Sequence, residues 1–261
     1  MKTSGFTDFV RIVDLGTNVV ATAIHAGAQM RPDMASMCSL SVQERYREED
    51  PDTDVMIDFG VTTLTVARSR FEVDVNRPRE TAVYRCADDA WGLDLWQAPP
   101  DPSQVAASLR LWDEFYEAAA ALLDEIVSRH ERFVVFDVHS YNHRREGPQA
   151  PGADPRTDPE VNLGTRSLDR DTWAPVVEAF TGCVSAHGFD VAENVKFGGG
   201  HFPSWVNERY AGVGCALAIE FKKTFMDEWT GAVDDAALQA RRTALSAAAA
   251  SVSAVLEARE P

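Results

Sequence analysis

The feature that most constrains this chain is the alternation of apolar, β-branched runs with stretches of helical periodicity from one end to the other. The apolar runs lie at 18–25, 63–75, 133–139, 189–197 and 213–221 and have the length and composition of buried strands. The helical stretches lie at 103–130, 171–187 and 234–257, and Ser103 and Asp171 are predicted to cap the first two. Such alternation predicts an α/β fold in which helices cover a mixed central sheet.

The continuity of this pattern favours one domain that spans residues 1–261. The sequence contains no internal repeat and no long low-complexity linker. A chain of this size buries about three quarters of the surface that its unfolded form exposes, so we expect a core that needs neither disulfides nor a partner. The four cysteines lack the CxxC spacing of a zinc knuckle and are predicted to be reduced thiols.

The charge and hydropathy of the chain argue against two classes of partner. Its 41 acidic and 25 basic residues give a net charge of -16, which opposes binding to a phosphate backbone. No apolar run approaches the roughly 20 residues of a membrane-spanning helix, and the first residues, MKTSGFTDFV, lack the apolar core of a signal peptide. We therefore expect no nucleic acid, no membrane and a cytoplasmic location, while the sequence does not indicate an oligomeric state.

Two histidines stand at the ends of apolar runs. His25 is followed by Ala-Gly-Ala, and His139 closes the run FVVFDVH. Because ligands bind at the carboxyl ends of strands in open α/β sheets, both imidazoles are predicted to face one crevice. The pair indicates a metal site, although each histidine alone is also compatible with a purely structural role.

A carboxylate would complete such a site, because catalytic zinc is often held by two histidines and a carboxylate with one position open. The segment 44–58 is rich in acidic residues, among them Glu49 and Asp50. The alternative for this segment is a solvated acidic loop, which is how most such runs behave.

Glu220 ends the otherwise apolar run GCALAIE. Burying a carboxylate without a partner costs free energy, so this position requires a reason. One reason would be an ion pair with Lys222 or Lys223. The other would be a general base that takes a proton from water at a metal and passes it to a leaving nitrogen.

The segment SRFEVDVNRPRE at 69–80 is interpreted as a short alternating strand that carries Arg70, Asn76 and Arg77. Arginine binds carboxylates through two parallel hydrogen bonds and asparagine adds a directional donor, so the segment predicts a site for an anionic ligand. The alternative is a set of surface ion pairs with the many acidic residues. Asp74 in the same segment would orient one of the arginines or a histidine.

Two further segments lack regular periodicity. Residues 142–166 are rich in proline, glycine and charge and are predicted to form a long loop. The glycines of VKFGGGHFPSW predict a close approach of the backbone or an unusual turn. We interpret this second segment as a substrate-facing loop, with His201 as a donor to a substrate carbonyl.

Taken in order, these pieces resemble the N-formylglutamate amidohydrolase family, which is related to the zinc carboxypeptidases and aspartoacylases. The ordered set runs from about residue 20 to 230 and comprises IHAG, an acidic segment ending DxxxD, SRFEVDVNRPRE, DVHS, GGG and AIEFKKTFMDE. The resemblance implies a phosphorylase/hydrolase-like, three-layer α/β fold with a mixed central sheet flanked by helices. It also implies one zinc ion per chain.

The resemblance assigns the metal ligands. His25 matches the histidine of the family's HAG or HSG motif, and His139 matches that of its DxHS motif. Asp50 aligns best with the acidic ligand of the family. The adjacent Glu49 is the alternative. The carboxylate lies well downstream of His25 and departs from the HxxE spacing of the related peptidases, which favours the amidohydrolase branch.

The resemblance also assigns catalytic and substrate-binding residues. Glu220 takes the place of the glutamate that activates water in carboxypeptidase-like sites. Asn76 and Arg77 resemble the pair with which carboxypeptidases hold a terminal carboxylate, with Arg70 as a third contact.

The implied reaction is hydrolysis of the amide bond of a small acidic N-acyl amino acid, with N-formylglutamate, which yields glutamate and formate, as the leading substrate. One alternative is a carboxypeptidase-like zinc peptidase or amidase that acts on a larger N-acyl or peptide substrate. A second alternative is an inactive carboxylate- or metal-binding protein. The segments REEDPDTD and NLGTRS resemble a subgroup variant, which leaves the substrate open.

Overall fold

In a computed structural model that describes residues 4–6 and 8–258, eight strands form one mixed sheet. The strands are β1 (Ser4–Phe6), β2 (Val10–Val13), β3 (Val19–Ala23), β4 (Thr62–Val66), β5 (Phe133–Tyr141), β6 (Val161–Gly164), β7 (Val191–Glu193) and β8 (Gly214–Lys222). Their order across the sheet is β1-β2-β4-β3-β5-β8-β6-β7. The central strands β4, β3, β5 and β8 are parallel, whereas β2 and β6 run antiparallel to β4 and β8.

Helices cover both faces of this sheet. They are α1 (Pro32–Met37), α2 (Val42–Glu48), α3 (Thr53–Met56), α4 (Pro102–Arg129), α5 (Ala174–Ala186), α6 (His201–Arg209) and α7 (Asp235–Glu257). Short 3-10 turns lie at Arg79–Thr81 and Ala87–Ala90. Within the described residues, none of the helices is both long enough and apolar enough to cross a membrane.

The two faces of β5 explain the three layers. Phe136 and Val138 belong to a core formed with residues of α5 and α7, whereas Phe133 and Val135 belong to a second core formed with residues of α4 and α6. Successive side chains of a strand point to opposite faces, so one buried strand supplies both cores. The expected mixed sheet flanked by helices is confirmed.

Two predicted helix caps are wrong. Helix α4 is capped by Asp101, which accepts hydrogen bonds from the backbone N–H groups of Ser103 and Gln104, so Ser103 lies inside the first turn. Helix α5 begins at Ala174, and Asp171 lies in the preceding turn. The third helix was predicted to begin at Asp234, and that residue caps α7 through a bond from the Ala237 N–H.

Two predicted segments also differ from the observed structure. The run 63–75 is a strand only as far as Val66, because Glu72 and Val73 both donate backbone hydrogen bonds to the Ser69 carbonyl and turn the chain. Residues 142–166 are not loop throughout, because their last part contains the buried strand β6. In both segments the sheet partners, which the local pattern does not specify, decide where pairing begins and ends.

Candidate active site

Two strand ends bring His25 and His139 together. Strands β3 and β5 are parallel neighbours, and His25 follows β3 while His139 lies near the end of β5. The two ring centroids lie 4.8 Å apart. Asp50 joins them from the turn after α2, where its backbone N–H donates to the His25 carbonyl at 3.0 Å.

A carboxylate holds the Nε2 side of each imidazole. His25 Nε2 lies 2.7 Å from Asp74 Oδ1, and His139 Nε2 lies 2.9 Å from Asp137 Oδ2. Asp137 in turn accepts a hydrogen bond from the Thr22 hydroxyl at 2.7 Å. Carboxylates in this position fix the tautomer and ring orientation of metal-binding histidines. Both rings therefore present Nδ1 to the same point.

The Nδ1 atoms converge on Asp50. Asp50 Oδ2 lies 3.5 Å from His25 Nδ1 and 3.0 Å from His139 Nδ1. One ligand atom from each of the three buried residues lies within 4.8 Å of the others. His25 Nδ1 is buried and finds no hydrogen-bond partner among the described residues. A buried, unpartnered nitrogen beside a carboxylate fits a metal cation, which imidazole nitrogen and carboxylate oxygen both bind.

The charges around this cluster favour an ionised Asp50. Burial raises the pKa of the Asp50 carboxyl, but its contacts with His139 and His25 outweigh burial and hold that pKa well below its ordinary value. Burial lowers the pKa of His139, yet Asp137 and Glu220 raise it well above its ordinary value. A metal would therefore displace a proton from His139, because metal ligands must be deprotonated.

Glu49 lies outside the cluster. Its Oε1 accepts a hydrogen bond from the Ser69 hydroxyl and another from Arg45 Nη1 at 3.3 Å. Adjacent residues of an extended turn point in opposite directions, and here Asp50 is the one that faces the histidines. Of the two alternatives that the sequence left open, the geometry favours Asp50.

Glu220 faces the same site from the next strand. It lies opposite His139 in the parallel pairing of β5 with β8. Burial raises its pKa to about 7, and the negative charges of Asp50 and Asp137 act in the same direction. No lysine pairs with it in the described residues, and Lys223 instead donates to the Arg47 and Glu49 carbonyls at 2.6 and 2.7 Å. A carboxylate with a pKa near neutrality is suited to general base catalysis.

The arginine segment, residues 69–80, forms turns around Asp74. Asp74 Oδ2 accepts a hydrogen bond from Arg70 Nη2 at 2.9 Å, and Arg77 Nε lies 3.6 Å from the same oxygen. The Asn76 backbone N–H and the Tyr84 hydroxyl also donate to Asp74, at 2.9 and 2.5 Å. Asp74 thus contacts both arginines and His25, whereas the sequence suggested that it would orient one arginine or a histidine.

The glycine segment, Gly198–Gly200, packs against Asn76. A Cβ on Gly200 would lie 2.3 Å from Asn76 Nδ2, so only glycine permits this approach, and Gly199 adopts a φ of +103°. The predicted close approach and unusual turn are therefore both present. The Asn76 side-chain oxygen accepts a hydrogen bond from the Phe202 N–H at 2.9 Å.

These side chains line one cavity of about 690 Å³. Predicted residues on its wall are His25, Asp50, Arg70, Asn76, Arg77, His139 and Glu220. The structure does not place His201 among them. Its ring stacks on Trp112 with centroids 6.1 Å apart, because His201 opens α6 and points toward α4.

A comparison with models of protein families finds a match over most of the chain. The family model for N-formylglutamate amidohydrolase matches residues 17–226. The chain belongs to this family. Membership in the N-formylglutamate amidohydrolase family identifies the protein as a hydrolase, and no curated protein matches its sequence.

Two crystal structures share the fold of this chain. The chain is similar to the N-formylglutamate amidohydrolase from Ralstonia eutropha JMP134, with a TM-score of 0.77 and 14% identity over 96% of this chain and 98% of that one. It is also similar to a gene product of Agrobacterium tumefaciens, with a TM-score of 0.68 and 15% identity over 97% and 99% of the two chains. At such low identity these likenesses establish the hydrolase-like fold.

Several residues of this amidohydrolase site were not predicted. They are Asp137, beside the histidine cluster, and Trp91, Arg145, Arg166, Lys196, Phe197 and Lys223 on the cavity wall. The spacing Asp137-x-His139 carried a signal, since residues two apart in a strand share a face. The others come from irregular segments or from the end of a strand, and they carry no comparable pattern.

Proposed function

We propose that this protein hydrolyses the amide bond of an N-formyl amino acid with an acidic side chain, with N-formylglutamate as the leading substrate. The supporting observation is that a His, Asp, His cluster, an unpaired glutamate and an Asn/Arg group line one cavity. A metal site and a general base can promote hydrolysis of an amide bond only if the substrate is held beside them. The arginines would hold the substrate by binding its carboxylates.

His25, Asp50 and His139 would hold one zinc ion. Two imidazole nitrogens and one carboxylate oxygen match the ligands of catalytic zinc sites, which keep a position open. When bound, zinc polarises the scissile carbonyl and lowers the pKa of water. Asp74 and Asp137 keep both imidazoles in the orientation that this binding requires.

Glu220 would move the proton. In its ionised form it accepts a proton from the attacking water, and in its protonated form it donates that proton to the leaving nitrogen. Its carboxylate forms no ion pair with any described residue, so neither step has to break an existing one. The products are formate and the free amino acid.

Arg70, Asn76 and Arg77 would bind the α-carboxylate of the substrate. Both guanidinium groups carry more hydrogen-bond donors than Asp74 can accept, so donors are left for a ligand. Arg70 and Arg77 also lie beside the Trp91 ring, with guanidinium carbons 4.8 and 5.9 Å from the centroid. This packing restricts both side chains before the substrate arrives.

A larger N-acyl substrate is the second candidate. The cavity of about 690 Å³ falls in the range of sites for drug-sized ligands, and two exposed aromatic residues, Trp91 and Phe197, line it. These rings could contact an apolar acyl group. A panel of N-acyl glutamates of increasing acyl length separates the candidates, because a formyl-specific site loses rate with length.

The deciding experiment combines elemental analysis with hydrolysis of N-formyl-L-glutamate before and after chelation. We expect about one zinc per chain and formate release that stops on chelation and returns with zinc. Glu220→Gln should retain zinc and lose activity, whereas the exposed control Glu131→Gln should keep both. A Glu220→Gln variant with full activity would exclude the proposed base, and a wild-type protein that binds zinc without turnover would favour the inactive binding protein.

A further inference from the structure

The backbone of Arg166 is held beside the cavity by the glycine segment. It lies just beyond β6, and its backbone N–H donates to the Gly198 carbonyl at 3.0 Å. A Cβ on Gly164 would lie 2.5 Å from the Gly199 nitrogen, so the end of β6 packs directly against the glycines. A Cβ on Gly198 would lie 2.7 Å from Arg166 Nε. The exposed Arg166 side chain therefore packs against Gly198 at a point where a Cβ would clash with it.

No described carboxylate neutralises the charge of Arg166. The other arginines and Lys196 on the cavity wall face carboxylates: Arg70 and Arg77 face Asp74, Arg145 lies 3.7 Å from Glu48, and Lys196 contacts Asp158. Within residues 8–258, no carboxylate oxygen lies within 4.0 Å of the Arg166 guanidinium. In a chain with 41 acidic residues, an unpaired arginine on the wall of the active-site cavity is available for a ligand anion.

The glycine segment also sets the spacing between Arg166 and the other anion-binding group. Arg166 packs on Gly198, and Asn76 packs on Gly200. Two residues of extended chain span at most about 7 Å, so the two sites lie on neighbouring stretches of one wall. A dicarboxylic amino acid carries its two carboxylates a few bonds apart and can reach both.

We propose that Arg166 binds the side-chain carboxylate of the substrate and so determines the preference for an acidic N-acyl amino acid. This inference rests on the proposed function and assigns the second carboxylate to a residue outside the 69–80 segment. In this arrangement the α-carboxylate binds to Arg70, Asn76 and Arg77. The side-chain carboxylate binds to Arg166.

The test compares two nearly isosteric substrates, N-formyl-L-glutamate and N-formyl-L-glutamine. Arg166→Gln should lower kcat/KM for the glutamate substrate by about 100-fold, because it removes charge-assisted hydrogen bonds. The same variant should change kcat/KM for the glutamine substrate by less than about threefold, because that side chain carries no charge. Arg166→Lys should restore the preference only in part, since lysine cannot form the paired hydrogen bonds.

Two controls make the outcome decisive. Arg170 lies on the same segment, pairs with Glu193 and does not line the cavity, so Arg170→Gln should leave both substrates unchanged. Equal losses on both substrates in Arg166→Gln, or a loss of preference in Arg145→Gln instead, would overturn the inference. If the wild-type protein cleaves neither substrate, the proposed function fails. Calorimetric binding of L-glutamate against L-glutamine, to wild type and to Arg166→Gln, then decides the role of Arg166 by itself.

Discussion

His139 and Glu220 lie directly opposite one another on the parallel strands β5 and β8. Adjacent strands are held about 4.8 Å apart by their ladder of hydrogen bonds, so the sheet itself sets the distance between a candidate metal ligand and the candidate base. Neither residue depends on a loop for its place. Two paired strands near the centre of the sheet therefore carry the candidate metal ligand and the candidate base.

The first prediction concerns the pH dependence of hydrolysis. Glu220 must be ionised to accept a proton, so kcat/KM should fall as the pH drops through its pKa. Without a bound cation, burial raises this pKa from 4.5 to about 7. A cation bound nearby would lower it. We expect the acid limb of the pH profile between these two values. A limb that persists in the residual activity of Glu220→Gln would show that another group titrates.

The second prediction concerns the carboxylate behind His139. Asp137→Asn should lower zinc affinity about 10- to 100-fold, because the amide no longer fixes the imidazole in the tautomer that presents Nδ1. Competition with a chromophoric zinc chelator measures this change. Asp113→Asn is the matched control, since it removes a partly exposed ion pair with Arg79. Equal zinc affinity in the two variants would contradict the role of Asp137.

The third prediction concerns the glycine segment. Gly200→Ala should displace the Asn76 side chain and break its hydrogen bond with the Phe202 N–H. We expect KM for N-formyl-L-glutamate to rise by about tenfold or more, with zinc content unchanged. Gly182→Ala in α5 places a methyl group where no atom lies within 4 Å and should leave KM as it is. Steady-state kinetics and elemental analysis of both variants test this.

The fourth prediction concerns Lys223, whose side chain is only 1% exposed. Lys223→Met would leave the Arg47 and Glu49 carbonyls without their donor, so we expect the free energy of unfolding to fall by about 2–4 kcal/mol. Lys222→Met is the neighbouring control. Lys222 is also buried, but among the described residues its ammonium makes no hydrogen bond or ion pair, and we expect a loss of less than about 1 kcal/mol. Urea unfolding of both variants supplies the comparison, and equal losses would contradict the prediction.

The sequence predicted those parts of the site that strands position. His25, His139 and Glu220 each end an apolar run, and parallel strands deliver such residues to one edge. The choice between Asp50 and Glu49 was beyond local pattern, because Ser69 and Arg45 decide which carboxylate turns away. Long-range contacts of this kind cannot be predicted from the spacing of residues along the sequence.

The shape of the segment 69–80 was predicted wrongly, although Arg70, Asn76 and Arg77 do line the cavity. The alternation of Phe71, Val73 and Val75 suggested a strand, but all three side chains are buried in cores around a turn. Burial of every second residue is thus not sufficient evidence of strand pairing. His201 was predicted to donate to a substrate carbonyl, but the structure places its ring beside Trp112. The reason is that the glycine segment ends before His201, which is the first residue of α6.

Asp74 accepts hydrogen bonds from His25 and from Arg70 with different oxygens of one carboxylate. A protein engineer who replaces Arg70 to admit a different substrate would therefore also change the partner of His25, which we propose as a metal ligand. By thermodynamic reciprocity, any gain in zinc affinity produced by a bound amino acid equals the gain in amino-acid affinity produced by zinc. If His25 holds zinc as proposed, substrate preference and metal retention must be redesigned together.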